Sequence, residues 1–517
     1  MDIRGDTRVG IVLFIYLILL LFAIQERTLP DAAGWAARLW SAIIFSIFLA
    51  RVVYRLSPLH PLYNFPGPVL FRCTNLAIAY IVFKGYRHVY VARLHAQYGD
   101  FVRIGPNKIS VLRNDVVHAI YSSAKCMDKS LAYRLGHFFD GGLFFIRERE
   151  KHSERRRAWA GAFSAASFGV FSSSVLKSRS EQLVKALLSE EPRTLDLGDM
   201  LSRWSYDVMG DLTFGSGKGF ELMEEGDKEK IIENGQRAMI AFDILGEIPS
   251  FLDVLYYLPA TKSIHQLETL AAKKLKIREQ SHSNDPDIVS HLLKSNEGDS
   301  NSELLAVDTL FAIQAGSDTI TGVSTLLFYY VLSNRDVYDK LTKELDEYYA
   351  RESSVNIETL IRLPYLGAVI QEGLRLGTPF PGLPRVAPST GIILGDRYVP
   401  GGTVVSVPAY AQQTSARNFG PDPFVFRPER WYSESSRHEY THDASAIMCF
   451  SSGPFGCLGK SLAIKELHVL VAYLLLFCHL EPPPSFDRDA FLHGVQNMQT
   501  TVFSTPLMAH VKRRRDK

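Results

Sequence analysis

The chain has 517 residues, 46% of them hydrophobic and 22% charged, the composition of a folded globular protein and not of a disordered or fibrous one. Its 57 basic and 55 acidic residues leave a formal net charge of +2, so no field of one sign recommends a nucleic-acid partner, and that class is set aside. Five cysteines (Cys73, Cys126, Cys449, Cys457 and Cys478) lie scattered without CxxC spacing, which argues against a disulfide framework or a structural zinc site and fits a reducing compartment.

Residues 9 to 24, VGIVLFIYLILLLFAI, are uncharged and apolar and fall slightly short of the ~20 residues that a spanning helix needs. A retained anchor and a cleaved signal peptide are both open; the lack of a small-residue cleavage site before Gln25, Glu26 and Arg27 favours the anchor. A second apolar segment, residues 39 to 50, is entered past Trp35 and Trp40 and closed by Arg51 and Arg55. It suits a second span, an interfacial helix or a core helix. Prolines at 58, 61, 66 and 68 then break any helix and stiffen the chain. The expected division is therefore a membrane-anchor region at 1–56 and a single folded domain at 57–517.

FVRIGPNKISVL, 101 to 112, reads as two short strands about a Gly-Pro turn, and from about residue 150 the patterning is mostly helical. The polar stretch 280 to 302 reads as a surface connection carrying one short helix. Ser300 and Glu303 have capping-box spacing ahead of an apolar run that ends near Asn334, which predicts a helix of ~30 residues through the protein's centre. Pro364 and Gly377 punctuate a second helix, at its first position and just past its end. Residues 382 to 408 suggest hairpins and 412 to 431 a long ordered loop. A final helix runs from about 459 to 478 and stops before three prolines.

FSSGPFGCLG, 450 to 459, sets three glycines around Cys457 just ahead of that last helix. Unpaired N–H groups and the helix dipole there favour a thiolate, and Gly453, Gly456 and Gly459 keep side chains away so that a large flat ligand can approach. The plain alternative is a buried cysteine at a helix cap, the reading given to Cys449 and Cys478. The stretch resembles the haem-binding loop of the cytochrome P450 family, F-x-x-G-x-R-x-C-x-G, matched by Phe450, Gly453, Cys457 and Gly459. Phe455 departs, standing where that family usually has an arginine or histidine against a haem propionate. The resemblance implies that Cys457 is the axial thiolate of a haem iron.

Three further stretches resemble the same family. AGSDT, 315 to 319, is similar to its oxygen-activation motif; positions 315, 318 and 319 are expected on one helical face, with Ala315 and Gly316 leaving room for dioxygen, Thr319 hydrogen-bonding it and Asp318 relaying protons. Glu372 and Arg375 match E-x-x-R, and Pro428-Glu-Arg-Trp431 makes Arg430 the third member of a buried network. His152 and Arg156 resemble W-x-x-x-R with histidine in place of tryptophan. Arg156 and Arg385 are then the available counter-charges for the haem carboxylates. Alone, each has a bland reading: a small-residue helix crossing, a solvated helix face, a solvated cation. In order over residues 60 to 510 they reinforce one another, and HPLYNFPGP, YGDFVRIGPNKISV and SYDVMGDLTFG look most like fungal microsomal members.

The resemblance implies a mainly α P450 fold with small β-sheets, a b-type haem, and an N-terminal transmembrane anchor in the endoplasmic reticulum membrane with the catalytic domain facing the cytosol. It implies monooxygenation of a lipophilic small molecule with O2 and electrons from NADPH delivered by NADPH-cytochrome P450 reductase, in fungal secondary metabolism, on a terpenoid or a prenylated alkaloid. Substrate contacts are expected in 127 to 147, 236 to 262, 308 to 319, 379 to 386 and 494 to 502. These carry Phe138, Phe139, Phe144, Phe145, Phe242, Phe251, Phe311 and Phe380 and few charges. Two rivals remain: a P450-type isomerase or dehydratase needing no reductase, against which residues 315 to 319 argue, and a haem-binding protein without turnover.

Overall fold

The computed structural model describes residues 5–25, 27–123, 126–134, 142–164, 166–189, 192–255, 262–281, 283–295, 302–432, 440–497 and 500–515. Two apolar helices, Gly5–Ile24 and Leu29–Leu56, open the chain and pack against each other. Among the described residues the second is the one helix long and apolar enough to cross a membrane, with a mean hydropathy of 1.7 over its best window. The sequence reading saw only residues 39 to 50 of it. Pro30 sits in its first turn, where a missing N–H costs nothing, so the helix begins earlier than the apolar run does. At the other end, Arg55 donates Nη1 to the Cys73 carbonyl at 2.5 Å.

The proline-rich hinge is tied down as well. Arg103, fully buried, donates its guanidinium to the carbonyls of Arg55 (3.2 Å), Leu62 (3.4 Å) and Pro106 (2.7 Å). Its backbone N–H donates to Pro66 O at 2.6 Å. A Cβ on Gly67 would stand 2.3 Å from Arg103 O, so only glycine allows this approach.

The expected strands at 101 to 112 form as β1 (Phe101–Gly105) and β2 (Lys108–Val111), antiparallel about Pro106 and Asn107. They join β3 (Asp128–Lys129), β4 (Arg385–Val386) and β5 (Val404–Ser406) in one sheet of order β1-β2-β5-β4-β3, with β2 and β5 parallel. In it, Lys129 lies directly opposite Arg385. The hairpin expected within 382 to 408 pairs Ile392–Leu394 with Arg397–Val399 and turns at Gly395, whose φ is +60°.

The long helix is Ser302–Ser333, 32 residues, and it runs against the almost wholly buried helix Leu197–Phe214. The Ser300–Glu303 cap lies outside the described residues and side chains. Upstream, the polar connection carries the short helix Ile288–Ser295. Pro364 starts the helix Pro364–Leu376, and Gly377 caps it at φ −101°, so glycine is needed for closeness and not for a left-handed turn: a Cβ would lie 2.8 Å from Gly373 O. Three short helices, Ala409–Gln413, Ala416–Phe419 and Glu429–Tyr432, punctuate the chain across the loop expected at 412 to 431. The last helix, Lys460–Phe477, is buried from Glu466 onward.

Candidate active site

A cavity of about 250 Å3 opens between the long helix and the cysteine loop. The helix supplies Ala312, Ala315, Gly316, Thr319, Ile320 and Val323 to its wall, the i, i+3, i+4 spacing of one face. Asp318 is not in that wall. It lies about 100° around the helix from Thr319 and turns to the helix Leu197–Phe214, where the Tyr206 hydroxyl donates to Oδ1 at 2.7 Å. Burial pushes the Asp318 carboxyl up to about 7 against that bond, and Oδ2 has no partner. The room at Gly316 is also taken, because a Cβ there would meet the Met209 sulfur at 2.5 Å. Thr319 does face the cavity, with Oγ1 donating to Ala315 O at 2.6 Å.

On the opposite wall, Cys457 precedes the helix cap Gly459 by two residues, and its N–H donates to Phe450 O at 2.9 Å. The side chain is exposed, but into the cavity. Burial pushes its thiol up, opposed by the Gly459 N–H, Arg156 and Lys460. Those three groups favour the thiolate against burial, and a metal held by the sulfur would favour it further. The glycines divide by function. A Cβ on Gly453, φ +68°, would stand 2.3 Å from Tyr121 O, so this glycine seats the loop on the segment 118 to 122. Gly459 has only the Cys457 sulfur near, at 3.9 Å, and leaves the cavity side open.

Arg156 lines the cavity and donates Nη1 to Gly456 O at 2.6 Å. His152, one turn earlier on the helix Arg149–Ser164, packs on Phe455 with ring centroids 4.6 Å apart. Arg385 stands one layer back. It is 1% exposed, donates to Tyr133 Oη at 3.1 Å and Pro384 O at 3.2 Å, and lies 5.1 Å from the Phe455 ring centroid with Nε unpartnered. Sequence reasoning missed Lys129, a buried ammonium in the cavity wall that donates to Phe144 O at 2.7 Å. It also missed Glu466 on the last helix, a wall residue whose carboxyl burial pushes up to about 8.

The aromatic expectation is met in part. Phe144 and Phe311 stack at 4.3 Å, and Phe380 joins them in the wall. Phe145, Phe242 and Phe311 line a second, smaller cavity of about 60 Å3 next door. Phe251 is 55% exposed and lines neither, and Phe138 and Phe139 lie outside the described residues.

Behind the site, Glu372, Arg375 and Arg430 are all fully buried at their side chains. Arg375 grips Glu372 through Nε (2.8 Å) and Nη2 (2.7 Å). Arg430 approaches Glu372 at 3.6 Å and places Nη2 on the carbonyls of Pro421 (3.0 Å) and Asp422 (2.8 Å). The Arg427 N–H and the Trp431 indole, each at 2.9 Å, complete the carboxylate's partners. Trp431 was readable only as part of the motif, not as a donor.

The residues fit a haem. An open cysteine, a glycine-bared wall and cations that pair with no carboxylate among the described residues suit an iron porphyrin with two carboxylates. The family model "Cytochrome P450" matches residues 65–502. Cytochrome P450 monooxygenase FCK2 of Fusarium pseudograminearum is 31% identical over 468 residues, 87% of this chain and 83% of the relative. Cytochrome P450 monooxygenase orf5 of Eupenicillium brefeldianum is 31% identical over 493 residues, 92% and 96% of the two chains. Tryprostatin B 6-hydroxylase of Aspergillus fumigatus is 29% identical over 459 residues, 87% and 80%. With the family's model matching residues 65–502 and relatives 31% identical over most of both chains, the chain belongs to the cytochrome P450 monooxygenases.

Proposed function

We propose that the chain hydroxylates or otherwise oxidises a lipophilic small molecule of fungal secondary metabolism, a terpenoid or prenylated alkaloid, with NADPH electrons from a cytochrome P450 reductase. The observation that carries this is the cavity itself: Phe144, Phe311, Phe380, Ala312 and Ala315 offer apolar surface beside the open thiol of Cys457. The naming of a relative as a tryprostatin B hydroxylase supports the alkaloid class. Haem, bound through Cys457 and supported by Phe450, Gly453 and Gly459, would supply redox chemistry with dioxygen. Arg156 and Arg385 would meet its carboxylates. Screening terpenoids and prenylated indoles for shifts in the haem spectrum tests the substrate class. Strong shifts only with hydrophilic ligands would refute it.

Thr319 holds a proton at Oγ1 on the cavity wall, and Asp318 is the acid next to it in sequence, though its carboxyl must leave Tyr206 to reach that side. Thr319→Ala is expected to keep haem and substrate binding while diverting NADPH electrons to peroxide. Product and peroxide formed per NADPH check this, and unchanged coupling would remove Thr319 from proton delivery.

Residues 1–56 are proposed as the anchor in the endoplasmic reticulum membrane, with the domain 57–517 on the cytosolic side. The apolar helix Leu29–Leu56 supports this. Deleting 1–56 is expected to move the protein to the soluble fraction with its haem spectrum intact, since the hydrogen bonds it removes, Arg55 Nη1 to Cys73 O and Arg103 Nη1 to Arg55 O, lie at the hinge and involve no residue of the cavity wall. Full-length protein found soluble with a cleaved N-terminus would favour a signal peptide instead.

A further inference from the structure

Phe455 leaves the cysteine loop without the cation usual at its position, yet the pocket around it is not short of positive charge. Lys129 and Arg385 face each other across β3 and β4, an arrangement that costs stability when like charges have nothing between them. Both are buried, at 5% and 1% exposure. Arg156 adds a third cation from the helix Arg149–Ser164. Among the described residues none of the three pairs with a carboxylate. Asp308, also in the cavity wall, is occupied by the Leu143 N–H (2.9 Å), Arg155 Nε (2.9 Å) and the Trp159 indole (3.3 Å). Glu466 accepts no hydrogen bond from any of them.

We propose that Lys129 is the third cation of the haem-carboxylate site and takes the place of the arginine missing at Phe455. The inference rests on the haem reading above and adds a residue to it. Lys129 Nζ donates to Phe144 O at 2.7 Å and reaches Leu143 O at 3.4 Å, which leaves one of its three N–H bonds for a ligand. Phe455 organises the group: its ring centroid is 5.0 Å from Lys129 Nζ and 5.1 Å from Arg385 Cζ, so one aromatic ring steadies both cations without adding a charge. In the absence of an anion, burial and then Arg385 and Arg156 hold the Lys129 ammonium well below its usual range, and the same three cations together with burial push His152 down to about 3. Two carboxylates arriving between Lys129, Arg156 and Arg385 would reverse that strain.

The test uses the full-length holoenzyme and two readouts. Haem transfer to excess apomyoglobin is expected to be roughly ten- to a hundredfold faster in Lys129→Met, and within a few-fold of wild type in Lys129→Arg. The propionate-bending band in the resonance Raman spectrum, which follows hydrogen bonding to those carboxylates, is expected to shift in Lys129→Met and to stay in place in Lys129→Arg. Phe455→Arg in the Lys129→Met background is expected to restore retention. Faster loss with an unmoved propionate band would mean that Lys129 only holds the 143–144 carbonyls, and would overturn the proposal. Equal retention in wild type and Lys129→Met would overturn it too. Wild-type protein purified without any haem spectrum would fell the haem reading first and this proposal with it.

Discussion

Cys457→Ala is expected to abolish the thiolate-type spectrum of the reduced carbon monoxide complex completely, while Cys449→Ala leaves it in place. Both cysteines border the cavity, which makes Cys449 the fair control. Cys449 is buried, and burial pushes its thiol up to about 12, so it offers neither an open face nor an accessible anion. Cys457 is open to the cavity, and the Gly459 N–H, Arg156 and Lys460 all favour its charged form. Cys457→His tests donor type separately from ligand loss: imidazole can hold iron, but its carbon monoxide complex lacks the thiolate signature. Reduced carbon monoxide difference spectra of the three variants decide the matter. A surviving thiolate band in Cys457→Ala, or its loss in Cys449→Ala, would move the ligand to another sulfur.

What could be read from the sequence were features with a local signature. Pro364, Gly459 and the Gly-Pro turn after β1 set element ends through their own backbone limits, and the structure has them at those ends. The glycines made the cysteine loop legible in the same way, whereas the E-x-x-R pair, by itself a solvated helix face, was legible only through the family resemblance. What escaped depended on direction or on distant partners. Asp318 shares a motif with Thr319 but not its face, because one helical step turns a side chain by about 100°. Gly316 proved to be room for Met209, which is 107 residues away in sequence. Lys129 could not be singled out among 57 basic residues until β3 was seen beside β4. The longer N-terminal helix was missed for a different reason: Asp31 and Arg38 interrupt its first ten residues, so the uncharged apolar run starts only at 39.

The second large effect is expected at Glu372, whose replacement by alanine should leave the protein unable to hold a native fold around its haem. The carboxylate accepts from Arg375 Nε and Nη2, the Arg427 N–H and the Trp431 indole, and it faces Arg430 at 3.6 Å. All three charged side chains are at 0% exposure, so water cannot replace the lost partner. Breaking a buried pair in this way costs about 3 to 5 kcal/mol, set against a total stability of about 5 to 15 kcal/mol for a typical protein. Arg430 makes the damage worse, because its Nε and Nη1 already lack hydrogen bonds and rely on the nearby negative charge. Glu372→Gln keeps the shape and part of the hydrogen bonding but not the charge, and it should fall between alanine and wild type. The exposed pair Arg335–Asp339, at 69% and 53% side-chain exposure, supplies the contrast. Arg335→Ala there should change stability by less than about 0.5 kcal/mol. Urea midpoints from circular dichroism, taken with haem content for the same three variants, check the ranking. A Glu372→Gln protein with the wild-type midpoint would show that the loop 421 to 431 is held by its carbonyl contacts, Pro423 O and Val425 O to Arg375 and Pro421 O and Asp422 O to Arg430, and not by the charge they surround.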